Sequence, residues 1–215
     1  YPITPQNEIP EYLSWRMLEV GGVFIQAESE LAAINMVYGA SAAGIRAMTS
    51  SSSPGISLKQ EAISFLAGAE LPCVIVNMQR GGPGLGNISA SQADYFQAVK
   101  GGGHGDYRII VLGPSSVQEM ADFAYLAFDL ADKYRIPAMI LADGIVGQMM
   151  EPVSLPEPRD PEDLPVKTWA VGERSRPFRS QRNLVLSAPL TDPELRELNI
   201  RLQAKYKDIA RREVR

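Results

Sequence analysis

The 215-residue chain holds one cysteine and one histidine, and each scarcity closes a route. Cys73 cannot form an internal disulfide, and one thiolate cannot hold an iron–sulfur cluster, which typically takes four. It lies inside the apolar run Cys73-Val74-Ile75-Val76, where a thiol serves as a small core residue. His104 alone excludes a multi-histidine metal site, so no metal is assigned to this chain and any redox metal is expected on another one. No apolar run of about 18 residues, the length needed to cross a bilayer, occurs. A formal charge of −4 and a pI near 5.2 argue against nucleic acid as the main partner. Basic residues gather only in Lys205-Tyr206-Lys207 and Arg211-Arg212, which read as a solvated helix face.

What is present, 45% hydrophobic residues, is enough to bury one sizeable core. Apolar, β-branched runs alternate with helical patterns. The runs are Val23-Phe24-Ile25, Ala47-Met48-Thr49, Val74-Ile75-Val76, Ile109-Ile110-Val111-Leu112 and Ala138-Met139-Ile140-Leu141; the helices are expected near 29–43, 57–69, 91–99 and 116–134. Strand then helix, repeated over short connections, predicts an α/β fold with a doubly wound, mostly parallel sheet. Ser57 and Ser116, each followed by an acidic residue, mark helix starts. Eight prolines from 152 to 193 and no sustained periodicity predict an extended arm over 151–193. Beyond it, Leu195, Leu198, Leu202, Tyr206 and Ile209 repeat at helical spacing, which predicts a helix over 194–215 that packs on a neighbouring domain or subunit. The opening Tyr1-Pro2-Ile3-Thr4-Pro5 reads as a turn leaving a strand, so the first strand of the 1–150 domain is expected upstream, and a further domain is expected after the last helix.

In such sheets the ligand lies against loops leaving the carboxyl ends of the strands, here 1–5, 27–30, 50–55, 80–86 and 113–116. Gln79-Arg80-Gly81-Gly82-Pro83-Gly84-Leu85-Gly86 stands out, because arginine offers a rigid charged fork and glycines let the backbone approach a ligand. It lacks the Gly-Lys-Ser/Thr ending of a P-loop, and its glycine spacing is not that of a dinucleotide fingerprint. An anion site and a flexible turn with a solvated arginine both remain open on these residues. Glu30 begins a helix directly after a strand, where a carboxylate meets either a ligand or only the helix dipole, and Glu28 competes for the role. Thr4 before Pro5 is either a cap or a ligand hydroxyl. His104, in Gly101-Gly102-Gly103-His104-Gly105-Asp106, faces either an anion or its own backbone.

Glu30 with Ala33 and Gly39 resembles the pyrimidine-domain helix of thiamine diphosphate enzymes. Tyr1-Pro2-Ile3-Thr4-Pro5, Gln26-Ala27-Glu28-Ser29-Glu30, Thr49 to Gly55, Gln79 to Gly84 and Gly103-His104-Gly105-Asp106 occur in the order found in alpha subunits of 2-oxoacid:ferredoxin oxidoreductases. Gly81 to Gly86 and Asp143 to Pro152 are most similar to the 2-oxoisovalerate branch. Gly84-Leu85 departs from the Gly-Gly-Pro-Ser-Thr-Gly loop of the 2-oxoglutarate branch, the alternative reading beside a non-catalytic scaffold of the same fold.

The resemblance implies oxidative decarboxylation of a branched-chain 2-oxoacid to acyl-coenzyme A and CO2, with reduction of ferredoxin. It implies that Glu30 is catalytic and bonds the cofactor's aminopyrimidine, that Thr4 and Arg80 hold the substrate carboxylate, and that Ser52, Pro54 and Gly55 contact the cofactor. The diphosphate-and-magnesium motif, Gly-Asp-Gly with a later asparagine, is missing, since Gly105-Asp106-Tyr107 and Ala142-Asp143-Gly144 both fail it. Half a thiamine diphosphate site is therefore expected here. The implied remainder is a beta subunit carrying the diphosphate and Mg2+, iron–sulfur and gamma-type subunits, ferredoxin as acceptor, coenzyme A as co-substrate and a cytoplasmic location.

Overall fold

The computed structural model describes residues 1–178 and 181–214; positions 179 and 180 of the expected arm and 215 of the expected last helix lie outside the described residues. Four strands form the sheet: β1 (Met48–Ser51), β2 (Val74–Gln79), β3 (Ile110–Leu112) and β4 (Ala138–Asp143). All three pairings are parallel, in the order β1-β2-β4-β3. The helices are α1 (Glu8–Glu19), α2 (Glu30–Ala42), α3 (Ser53–Gly68), α4 (Tyr95–Lys100), α5 (Val117–Tyr134), α6 (Gly144–Gln148) and α7 (Asp192–Arg212).

The two central strands explain the layering. β2 and β4 are buried along their whole lengths, as strands covered on both faces must be. Successive side chains point to opposite faces. Ile75, Met139 and Leu141 meet Ile34 and Val37 of α2 and Ile56, Ile63 and Leu66 of α3. Val74, Val76, Ala138 and Ile140 meet Ala127 and Leu130 of α5 and Leu202 and Tyr206 of α7. The apolar stripe of the last helix thus packs on the chain's own sheet, and Glu70 pins it there through Lys205 at 2.5 Å and Arg201 at 2.9 Å.

Local signals set several boundaries. Ser29 accepts from the Ala32 amide at 3.1 Å and Ser116 from the Glu119 amide at 3.2 Å, so both begin helices by satisfying free N–H groups. α3 begins at Ser53, earlier than the expected Ser57, because Pro54 suits the first turn. α1 has no counterpart among the expected helices, and only its Pro10 is buried. Val23-Phe24-Ile25 is extended but is not a strand of the sheet. Val23 and Ile25 are 77% and 64% exposed, and a groove of about 520 Å³ lined by Val23, Ile25, Met36, Ile45 and Met48 lies along β1. Residues 151–178 and 181–191 run irregularly, with two short 3-10 turns at Pro161–Asp163 and Glu173–Phe178.

Candidate functional site

The carboxyl ends of β1, β2 and β4 lie side by side, as the pairings Ser51 with Asn77 and Gln79 with Asp143 show. Three turns leave this rim: Ser52–Gly55 into α3, Arg80–Gly86, and Asp143 into α6. Asp143 caps its helix by accepting from the Ile145 and Val146 amides at 2.8 and 3.2 Å, and also accepts from Gln92 at 3.2 Å.

Glu30 is buried at the start of α2 although it is an acid. Its neighbour across the rim is Gly55. A Cβ built on Gly55 falls inside contact distance of Ser51 Oγ and reaches Glu30 Cγ at 2.9 Å and Oε1 at 3.0 Å. Glycine here lets the first turn of α3 close on the carboxylate. The dipole of α2 and the amides of its first turn favour negative charge at this end.

Lys59 stands one turn further along α3, completely buried, with Nζ donating to Thr49 Oγ1 at 3.2 Å. Burial pulls its ammonium down to about 8 from 10.5, opposed by the charge of Glu30. The sequence reading passed over it. The signal was there: Lys59 occupies the same helical stripe as Ile56, Ala62, Ile63 and Leu66, where a lysine has no access to water.

Arg80 is also buried, and its guanidinium acts as a clamp. Nη1 donates to the Thr4 carbonyl at 3.0 Å and Nη2 to the Leu85 carbonyl at 2.8 Å, while Nε is buried without a partner. Its own amide donates to Ser53 Oγ at 3.0 Å. The Thr4 turn and the glycine loop are thereby tied to the start of α3. Both turns contain cis peptide bonds, Thr4-Pro5 and Gly82-Pro83. Gly86, at φ +63°, brings its backbone against the Gly81 carbonyl, an approach that only glycine permits. Gln6 steadies the opening turn by accepting from Ser50 Oγ at 2.7 Å and donating to the Tyr1 carbonyl at 3.0 Å.

The structure therefore gathers Glu30 with Ser51 and Gly55, and Thr4 with Arg80 and Ser53, joined by the short run 51–55. Ser52 lies in that run, fully buried, and its Oγ has no hydrogen-bond partner. Pro54 is half-buried beside it. Glu28 is exposed and stays apart. His104 packs against Phe65 and approaches Ser64 Oγ at 3.4 Å, roughly two and a half turns along α3 from Gly55, so it does not join the group. Gly39, part of the helix pattern, faces open space. Burial pushes the Cys73 thiol up to about 12, as suits a core residue.

Comparison with known proteins bears directly on this rim. The chain matches, over residues 1–213, the family described as pyruvate flavodoxin/ferredoxin oxidoreductase, thiamine diphosphate-binding. It is 60% identical to the ketoisovalerate oxidoreductase subunit VorB of Methanothermobacter marburgensis over 100% of this chain and 60% of that protein. It is 49% identical to the 2-oxoglutarate synthase subunit KorA of Methanocaldococcus jannaschii over 78% of this chain and 47% of that protein. A solved 2-oxoglutarate:ferredoxin oxidoreductase from Magnetococcus marinus, with 2-oxoglutarate, coenzyme A and succinyl-CoA bound, is similar with a TM-score of 0.80 and 28% identity, covering 100% of this chain and 41% of that one. The chain thus spans about 60% of the length of its ketoisovalerate-oxidoreductase relatives. With the parallel sheet, the buried acid and the clamped glycine loop in place, the chain belongs to the thiamine diphosphate-binding family of pyruvate flavodoxin/ferredoxin oxidoreductases.

Proposed function

We propose that this chain supplies the pyrimidine-binding half of a thiamine diphosphate site in the alpha subunit of a 2-oxoacid:ferredoxin oxidoreductase acting on 2-oxoisovalerate. The observation that carries the reading is Glu30: a buried carboxylate at the carboxyl rim of the sheet, closed over by Gly55, in a chain 60% identical to a ketoisovalerate oxidoreductase subunit. The residues fit an aminopyrimidine. Glu30 offers an acceptor for a ring N–H, Ser52 Oγ is buried and unpartnered, and the glycine at 55 brings backbone close to the acid. The chemistry supplied by the bound cofactor is a nucleophilic carbon and a sink for the electron pair left when CO2 departs.

In this reading Glu30 holds and returns a proton at its carboxylate oxygen, a role that burial favours by excluding competing water. Arg80 and Thr4 hold the 2-oxoacid carboxylate. Two of the five guanidinium N–H groups are engaged by the Thr4 and Leu85 carbonyls, which fixes the fork while leaving the others to donate. The diphosphate and Mg2+ are assigned to a beta subunit, the iron–sulfur clusters to further subunits, and coenzyme A and ferredoxin serve as co-substrate and acceptor in the cytoplasm. Residues 1–150 form the pyrimidine domain, and 151–193 an arm leading to the last helix.

The test is turnover of the full-length chain assembled with its partner subunits on 2-oxoisovalerate, 2-oxoglutarate and pyruvate, with ferredoxin reduction as readout. The largest kcat/KM is expected on 2-oxoisovalerate. Glu30→Gln is expected to lower kcat by at least about 100-fold, the ordinary worth of a positioned proton-transfer group. Undiminished turnover in that variant removes Glu30 from the chemistry.

A further inference from the structure

A fully buried lysine in an apolar helix stripe needs a reason, because an ammonium without water loses its solvation. Lys59 is 0% exposed, so its head cannot reach the surface along the stem as lysines usually do. Its ammonium has three donors and Thr49 Oγ1 takes one. The charged group facing it is the Glu30 carboxylate from α2, which attracts the Lys59 charge. β1 contributes the neutral Thr49 hydroxyl.

The placement follows from the helix. Lys59 and Gly55 are four positions apart on α3, so they lie on one face, one above the other. The Gly55 position meets Glu30 directly. The same face of α3 therefore presents a missing side chain against the acid and, one turn on, a cation behind it.

We propose that Lys59 is the charge partner and positioning residue of Glu30, an ammonium anchored by Thr49 that keeps the acid as a carboxylate turned toward the cofactor ring. This rests on the reading of Glu30 given above. A proton shared between Glu30 and a ring nitrogen then lies toward the nitrogen, and the negative charge left on the carboxylate is balanced by Lys59. No atom of Lys59 touches the cofactor. Its effect is electrostatic, exerted along the shared face of α3 without contact with the ring.

The experiment uses the full complex with Lys59→Met and, so that a folding defect does not end the test, Lys59→Gln, which keeps a donor for Thr49. Infrared pH-difference spectra of the cofactor-free complex isolate the Glu30 carboxylic-acid band as the signal lost in Glu30→Gln. In both Lys59 variants that band is expected to persist to a pH at least about one unit higher than in the parent. The acid limb of the kcat profile is expected to move up with it, and thiamine diphosphate Kd to rise about tenfold while KM for the 2-oxoacid stays within a factor of two. A band that does not move in either variant overturns the pairing. Should Glu30→Gln retain turnover while the band still moves, the pairing stands and the catalytic reading of Glu30 falls.

Discussion

Replacing Gly55 with alanine tests the closure of the rim directly. The new methyl meets Ser51 Oγ inside contact distance and Glu30 Cγ and Oε1 at 2.9 and 3.0 Å, in a place where Ser51 is fully buried and Glu30 nearly so. Overpacking of this kind costs about 1–3 kcal/mol. Alanine is the better helix former by about 0.8–1 kcal/mol, which offsets part of the cost. A net loss of about 1–2 kcal/mol follows, or a fall in Tm of roughly 3–8 °C for a domain of this size. Function should suffer more than stability, because Glu30 moves with the clash, and misplacing a reacting group by about 1 Å costs on the order of 100-fold. Thermal unfolding of the full-length chain and kcat of the assembled enzyme measure the two effects. Adding Ser51→Ala removes the worst contact and is expected to restore most of the lost Tm. Parent-like Tm and kcat in Gly55→Ala would refute the close approach.

Two predictions concern charge. Lys59 titrates near 8 in the folded chain against 10.5 unfolded, so the folded state binds fewer protons and stability rises as pH climbs from about 8 toward 10.5. Lys59→Met should abolish that rise. Denaturant unfolding at about pH 8 and about pH 10 checks it. A variant whose stability still climbs between those values as the parent's does rejects the desolvation account. For Glu70, burial raises the carboxyl, but hydrogen bonds from Lys205 and Arg201 hold it net below its ordinary range. Its stabilisation is thus present above the unfolded value and lost as pH falls. Glu70→Gln should cost about 1–2 kcal/mol at pH 7 and much less at pH 3, read as Tm at each pH.

The parallel sheet was legible because β2 and β4 open on apolar runs, Val74-Ile75-Val76 and Ala138 to Ala142, and such runs have few alternatives. α5 was legible through its cap at Ser116. Val23-Phe24-Ile25 misled for the converse reason: β propensity reports that a segment suits an extended, half-buried surface, whereas a strand also needs a neighbour within ladder distance. α1 was missed because exposed apolar side chains, Tyr12, Trp15 and Leu18, blur the stripe of half-buried Ile9, Leu13 and Met17. In the site, Arg80 could be named from charge placed at the end of β2, while Glu30 was marked by its helix pattern with Ala33 and Gly39 although no strand precedes it among the described residues. Lys59 shares a stripe with Ala62, Ile63 and Leu66 inside the expected helix, but its link to Gly55 is visible only once α3 begins at Ser53. Ser53, Gln6 and Ser50 are short polar side chains whose roles depend on turns meeting across the rim, which no local pattern encodes.

Arg80 shows why a residue type that was read correctly still needed its geometry. The sequence supports an anion fork or a solvated turn, and the guanidinium is buried rather than solvated. Its outer nitrogens are committed to two backbone carbonyls, one on each flanking turn, and those bonds restrain the five-donor plane before any ligand arrives. A flexible arginine would have to give up about 2 kcal/mol of rotamer freedom on binding, and here most of that freedom is already gone in the folded chain. The same bonds make the Thr4 turn and the glycine loop move as one unit with the start of α3, where Ser53 holds the Arg80 amide. Glu30 touches that start through the Gly55 position. Acid and guanidinium are consequently set by one short segment, 51–55, and their separation is fixed by the backbone of that segment more than by either side chain.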